Sequence, residues 1–233
     1  MNLITRRHLL ALLALPAGCS LQPLAPLPVQ PSRVPTPLAP VRAPAVGQSW
    51  TYTLLNHYNG QALDTLKEQV AAVGPGVTLQ RQSARNGALA DEIHTRWGQV
   101  QQDPSWDLLQ TYDTPMPLWL DPLVTGASQS LDTRYTSGTS ALRYWIQAQI
   151  QVLGRETVAL PLGNFETIRI EKRIRQTHAD SGKLFLQRRE TLWFAPEMGR
   201  WVARETDGLF KRPGKHLDEG REDHFRWVLT AWV

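Results

Sequence analysis

Between Tyr144 and Val152 every second residue is apolar. Tyr144, Ile146, Ala148, Ile150 and Val152 take one side of an extended chain, and Gln147, Gln149 and Gln151 take the other. A period of two is the period of a strand, and a face of glutamines is a wet face, so the segment belongs to a sheet with one buried side. The alternation recurs. Trp50, Tyr52 and Leu54 share a face of 48–54, Asn59-Gly60 supplies a favoured hairpin turn, and 63–73 returns as the partner strand. Gly74-Pro75-Gly76 turns the chain into 77–82, and 91–101 follows as a fourth strand. Further on, 165–176 and 183–194 are joined by Thr177 to Gly182, whose Asp180-Ser181-Gly182 is turn chemistry. With 201–205 and 223–233 the set reaches about ten strands.

The middle of the chain is less regular. Pro104, Pro115, Pro117 and Pro122 punctuate 103–123, and Pro117-Leu118-Trp119-Leu120-Asp121-Pro122 reads as an extended apolar loop packed on the sheet. Twisted open sheets rarely run flat past about ten strands, so an antiparallel set this long must curl or pack on itself. The expected fold is all-β and a single domain over 47–233: a curled antiparallel meander or half-open barrel, with a two-sheet β-sandwich as the alternative.

Upstream of that domain the composition changes. Arg6-Arg7 precede an apolar run from Leu9 to Leu15 and then Pro16-Ala17-Gly18-Cys19, a basic start, short apolar core and small residues that make an export signal over 1–18. The run is shorter than the roughly 20 residues a membrane span needs. Leu15 to Cys19 resembles the lipobox of bacterial lipoproteins, with Pro16 where that motif usually has Leu; the resemblance implies acylation of Cys19. An ordinary secretory signal cut between Ala17 and Cys19 is the alternative. In such lipoproteins a residue other than Asp after the cysteine implies the outer membrane, and here it is Ser20. Thr5-Arg6-Arg7-His8-Leu9-Leu10 also resembles a twin-arginine signal, although a general export signal needs the same charge. Residues 19–46 then form a tether: eight of the chain's 17 prolines lie between Pro23 and Pro44, with no acidic and no aromatic residue among them.

Charge and cysteine content exclude whole classes. Of 25 basic residues, Arg6, Arg7, Arg33 and Arg42 precede the domain, leaving 21 against all 21 acidic ones. The net +4 therefore belongs to leader and tether, and nucleic acid is not an expected partner. Cys19 is the only cysteine, so the domain can hold no disulfide, Cys-based zinc site or iron–sulfur cluster. No cofactor is expected.

No catalytic constellation is visible. The chain has no G-x-S-x-G elbow, phosphate-binding glycine loop, dinucleotide fingerprint or H-E-x-x-H pair, and it is not expected to be an enzyme. His216 and His224 bracket Leu217-Asp218-Glu219-Gly220-Arg221-Glu222-Asp223, which offers nitrogen and carboxylate ligands; interleaved Lys215 and Arg221 would repel a cation, and a solvated hairpin around Gly220 is preferred to a metal site. His57, His94 and His178 are isolated in sequence. Arg169, Lys172, Arg173 and Arg175 face Arg188, Arg189 and Glu190 across a predicted hairpin, with Glu171 between them, as a cross-strand charge ladder. All nine tryptophans lie in the domain, mostly as core, but Trp106 and Trp119 sit in the proline-broken stretch, where a loop could cap the open end of a half-barrel.

Two stretches carry a further resemblance. Pro161-Leu162-Gly163-Asn164-Phe165 resembles a Pro-x-Gly-x-Phe strand entry, and Phe194-Ala195-Pro196-Glu197-Met198-Gly199-Arg200-Trp201-Val202 resembles an aromatic-x-Pro-x-x-Gly-x-x-Val corner. Both are similar to motifs of periplasmic and outer-membrane β-domains of unknown function in Gram-negative bacteria, whose curled sheet is like that of lipoprotein carriers. The resemblance implies fold and compartment: an outer-membrane-anchored lipoprotein facing the periplasm, or, with the alternative signal, a soluble periplasmic protein. Two functions suit such a domain. One is a non-catalytic module that meets an envelope protein through its sheet edges; the other is a carrier for an acyl chain or other amphiphile.

Overall fold

The computed structural model describes residues 23–32, 40–138, 140–180, 182–214 and 219–233. The expected export signal, 1–18, and Cys19 lie outside them. The tether contributes a short strand, β1 (Val29–Pro31), before the domain begins with β2 (Ser49–Asn56), β3 (Ala62–Val73) and β4 (Val77–Ser83). The stretch 91–101 is a hairpin of β5 (Gly87–Arg96) and β6 (Gln99–Asp103), turned at Gly98. Two strands follow: β7 (Gln110–Pro117), inside the stretch 103–123 expected to be irregular, and β8 (Ser128–Ser137), in a stretch to which no strand was assigned. Then come β9 (Tyr144–Leu160), β10 (Gly163–Thr177), β11 (Phe185–Ala195), β12 (Arg200–Lys211), β13 (Glu219–Arg221) and β14 (Phe225–Trp232).

The strands pair in the order β9-β10-β11-β12-β14-β2-β3-β4-β5-β6-β7-β8, and β8 returns to β9 from Ser128↔Gln151 to Tyr135↔Tyr144. The sheet is therefore a closed twelve-strand barrel, with β1 added beside β9 and β13 beside β12. This corrects the half-open sheet of about ten strands and the sandwich alternative alike. Prolines hid β7. In β7, pairing with β8 covers only Gln110–Tyr112, so Pro115 and Pro117 fall where that side of the strand has no ladder to break, and the Thr114 N–H donates instead to Thr133 Oγ1 (3.1 Å).

Alternation decides which side chains enter the barrel. In β9, Ile146, Ala148, Ile150 and Val152 point inward and are buried, with Gln149 outward and exposed. A bulge opposite Arg169 and Ile170 lets this long strand bend around the wall. The outer face carries exposed Lys67, Gln82, Arg173, Arg175, Gln187 and Arg189, the opposite of the apolar belt with which a barrel faces lipid. Among the described residues no helix is long and apolar enough to cross a membrane.

One end, the floor, is sealed by aromatics. Residues 118–120 fold under the barrel and are buried, with the Trp119 ring stacked on Phe194 (4.5 Å between centroids) and edge-on to Trp97 (5.7 Å). Gly98 permits this approach. It holds φ at +88°, and a Cβ there would lie 2.5 Å from the Trp119 ring. The corner after β11 is a 3-10 turn, Pro196–Met198, ended by Gly199 in the left-handed region, as its Pro-x-x-Gly pattern predicts. Trp106 belongs to the other end, the mouth, so the two tryptophans expected to cap one opening lie at opposite ends.

Candidate functional site

Between floor and mouth the barrel holds a column of paired charges. Its lowest level centres on Arg200, fully buried, which donates to Glu68 (Nη2–Oε2 2.7 Å) and to both oxygens of Glu92 (Nη1–Oε1 2.8 Å, Nη2–Oε2 3.1 Å). Glu68 also accepts from Arg81 (3.3 Å). His94 Nδ1 accepts the Gly98 N–H (3.0 Å), which leaves Nε2 to carry the hydrogen it donates to Glu92 (2.6 Å). Burial pushes the Glu92 pKa up, but Arg200 and His94 outweigh it and hold this carboxyl well below its ordinary value. Burial, with nearby Glu68, also keeps Tyr52 protonated far above its ordinary value; its hydroxyl donates to the Trp201 carbonyl (3.0 Å).

One layer up, Arg204 pairs with Glu190 (2.7 Å), which lies opposite Lys172 in the β10–β11 register. Burial lowers the Lys172 pKa, with Glu190 opposing. Arg204 reaches Ser105 Oγ (3.0 Å), which with its own N–H (2.9 Å) donates to Asp103; Trp106 Nε1 (3.1 Å) and the Tyr112 hydroxyl (3.0 Å) donate to the other oxygen. Burial and Glu92 raise the Asp103 pKa, but Arg204 and the two Ser105 donors bring it below its ordinary value.

At the mouth, Arg188 makes a two-pronged pair with Glu222 (2.8 and 2.9 Å) and lies 3.7 Å over the Trp106 ring. Beside it opens a cleft of about 300 Å³, bounded by Asp107 and Lys183, which pair with each other, and by Phe210, Phe225 and Trp227. Its aromatic faces already have cations over them: Lys183 stands 5.2 Å over Phe210 and Arg204 5.4 Å over Trp227. Glu92 and Asp103, this deep in ion pairs, stay charged, and the Tyr52 phenol stays neutral; none is poised to exchange a proton near neutral pH.

The sequence-level candidates are redistributed by this arrangement. Of the expected charge ladder, Lys172, Arg188 and Glu190 face the interior while Arg173, Arg175 and Arg189 face solvent. Arg173 and Arg189 are direct cross-strand neighbours. His94 is part of the ion column rather than isolated. His216 lies outside the described residues, and His224 stacks on His57. No group of three or more potential metal ligands occurs among the described residues. Gly220, expected at a hairpin tip, is inside β13. The column had a signal that the sequence reading missed. Glu68 lies between Leu66 and Val70, Arg81 between Leu79 and Ser83, and Lys172 between Ile170 and Ile174, each at a position whose parity points inward.

No protein-family model and no curated protein sequence matches the chain. Among solved structures, a protein of Bacteroides fragilis described as exported and as having a YmcC-like fold superposes with a TM-score of 0.53 at 14% identity, over 84% of this chain and 100% of that one. The Escherichia coli K12 protein YmcC, described as a hypothetical lipoprotein, gives a TM-score of 0.41 at 14% identity, over 74% of this chain and 91% of that one. The chain thus shares its fold with the Bacteroides protein, a β-rich fold of the kind its corner and strand-entry motifs resemble.

Proposed function

We propose that the chain is an outer-membrane lipoprotein, anchored at Cys19 and facing the periplasm, whose barrel is a non-catalytic module that meets an envelope protein. The observation that supports this reading over a carrier is the filled interior. Trp119 and Phe194 occupy the floor, and three levels of ion pairs from Arg200 to Arg188 occupy the axis where an acyl chain would have to lie. A carrier needs an enclosed, mainly apolar space. The mouth cleft is open and bounded by the Asp107–Lys183 and Arg188–Glu222 pairs. The contact surface also differs from the sheet edges first expected, because closure leaves no long edge to pair with. The loops of the mouth are the proposed contact surface.

Two measurements test this. Cys19→Ala should abolish labelling by a fatty-acid probe and release the exported protein from membranes, whereas unchanged labelling would overturn the anchor. Protein extracted gently from membranes and weighed by native mass spectrometry should carry no mass beyond the lipid on Cys19. A stoichiometric copurifying amphiphile would restore the carrier.

A further inference from the structure

The N-terminal segment does not leave the barrel freely. Leu24 donates its N–H to the His57 carbonyl (2.9 Å), and the Ala25 carbonyl accepts from Arg226 Nη1 (2.6 Å). Residues 23–28, Pro-Leu-Ala-Pro-Leu-Pro, contain no titratable side chain, so this attachment depends on groups of the barrel. Those groups are unusual. The rings of His57 and His224 lie parallel, 3.8 Å between centroids and 3° from coplanar, tied by a backbone bond from the His57 N–H to the His224 carbonyl (2.9 Å). Arg226 Nη2 is 3.5 Å from His57 Nε2.

We propose that the His57–His224 stack is an acid-sensitive latch, closed when the imidazoles are neutral and holding Leu24 and Ala25 on the barrel, and opened when they gain charge. The physical reason is like-charge crowding. A neutral imidazole pair stacks well beside the Arg226 guanidinium, but protonation places two or three positive charges in contact. Every neighbouring element adds to the balance. Glu205 and Asp207 of β12 favour protonation of His224; Arg221 of β13 opposes it, and Tyr58 meets the His224 ring edge-on (5.8 Å). Glu205 is also engaged by Arg226. Burial and the His57 ring hold His224 below its ordinary value of 6.5, so His224 gains its charge only in acid. The His57 carbonyl that receives Leu24 belongs to the same residue as the displaced ring, which couples the stack to the segment.

The test is hydrogen exchange and ¹⁵N NMR on the full chain. Between pH 7.5 and 5.0 the Leu24 amide, corrected for intrinsic rate, should lose about tenfold in protection, the factor that one pKa unit represents. Its shift should titrate with the same midpoint as the His224 ring. His224→Gln should keep Leu24 protected at pH 5.0, and His57→Gln is the second variant should the first fail to melt cooperatively at pH 7.5. Undiminished protection in the parent chain, different midpoints for Leu24 and His224, or the same acid response in a folded variant would each overturn the latch.

Discussion

Arg200 and Glu92 are joined by two hydrogen bonds, 2.8 and 3.1 Å long, between β12 and β5, strands that are not neighbours in the sheet. The pair therefore spans the barrel interior. Because Arg200 also holds Glu68, its loss strands two buried carboxylates at once. Removing one partner of a buried pair typically costs about 3–5 kcal/mol. Arg200→Met is expected to lower stability by at least that amount in urea titration, and Glu92→Gln, which keeps a polar group beside Arg200, by less.

Trp119 is expected to matter for folding and not for ligand capture. It is 7% exposed and packed between Gly98, Trp97 and Phe194. Trp119→Ala should cost about 3–5 kcal/mol, the range for emptying an aromatic site. Gly98→Ala should be destabilising as well, since it meets both the positive φ and the indole ring. Chemical denaturation of each checks this.

Acid should weaken the column. Glu92 and Asp103 have folded-state pKa values below their ordinary 4.5 and 3.8. A depressed carboxyl contributes stability that is complete above the unfolded value and is lost as pH falls through the folded one. The thermal midpoint should accordingly hold from pH 7 to about 5 and decline below about 4. In Glu92→Gln the decline should be shallower.

Removing the tether should have a measurable cost. Beyond β1 on β9, Ser32 donates to Glu166 and the Arg42 N–H to the Pro196 carbonyl (2.8 Å). A chain beginning at Gly47 is expected to melt cooperatively, since the twelve-strand ring starts at Ser49, but at a lower temperature than the chain from residue 20. Equal midpoints would show that these contacts contribute nothing.

Much of the wall was legible locally. The alternation of Ile146, Ala148, Ile150 and Val152 marked one side as buried, and Asn59-Gly60, Asp180 to Gly182 and Pro196 to Gly199 marked turns, because backbone geometry at these places depends on residues close in sequence. Trp106 and Trp119 were singled out for good reason, both being in connections that close the barrel. Their separate destinations, mouth and floor, were not visible in a stretch whose prolines concealed β7.

The sequence by itself determined an all-antiparallel β domain, the faces of most of its strands and a proline-rich approach to the barrel, and it raised the expectation of an export leader ending at a lone cysteine. Tertiary structure alone decided that the sheet closes and what fills it. Closure depends on Tyr135 meeting Tyr144 and Ser128 meeting Gln151, a register that strand periodicity does not encode. The ion column depends on it in turn. Glu68, Glu92 and Arg200 come from three strands far apart in sequence, and only a closed wall brings their inward positions within hydrogen-bond reach and removes the water that would otherwise separate them.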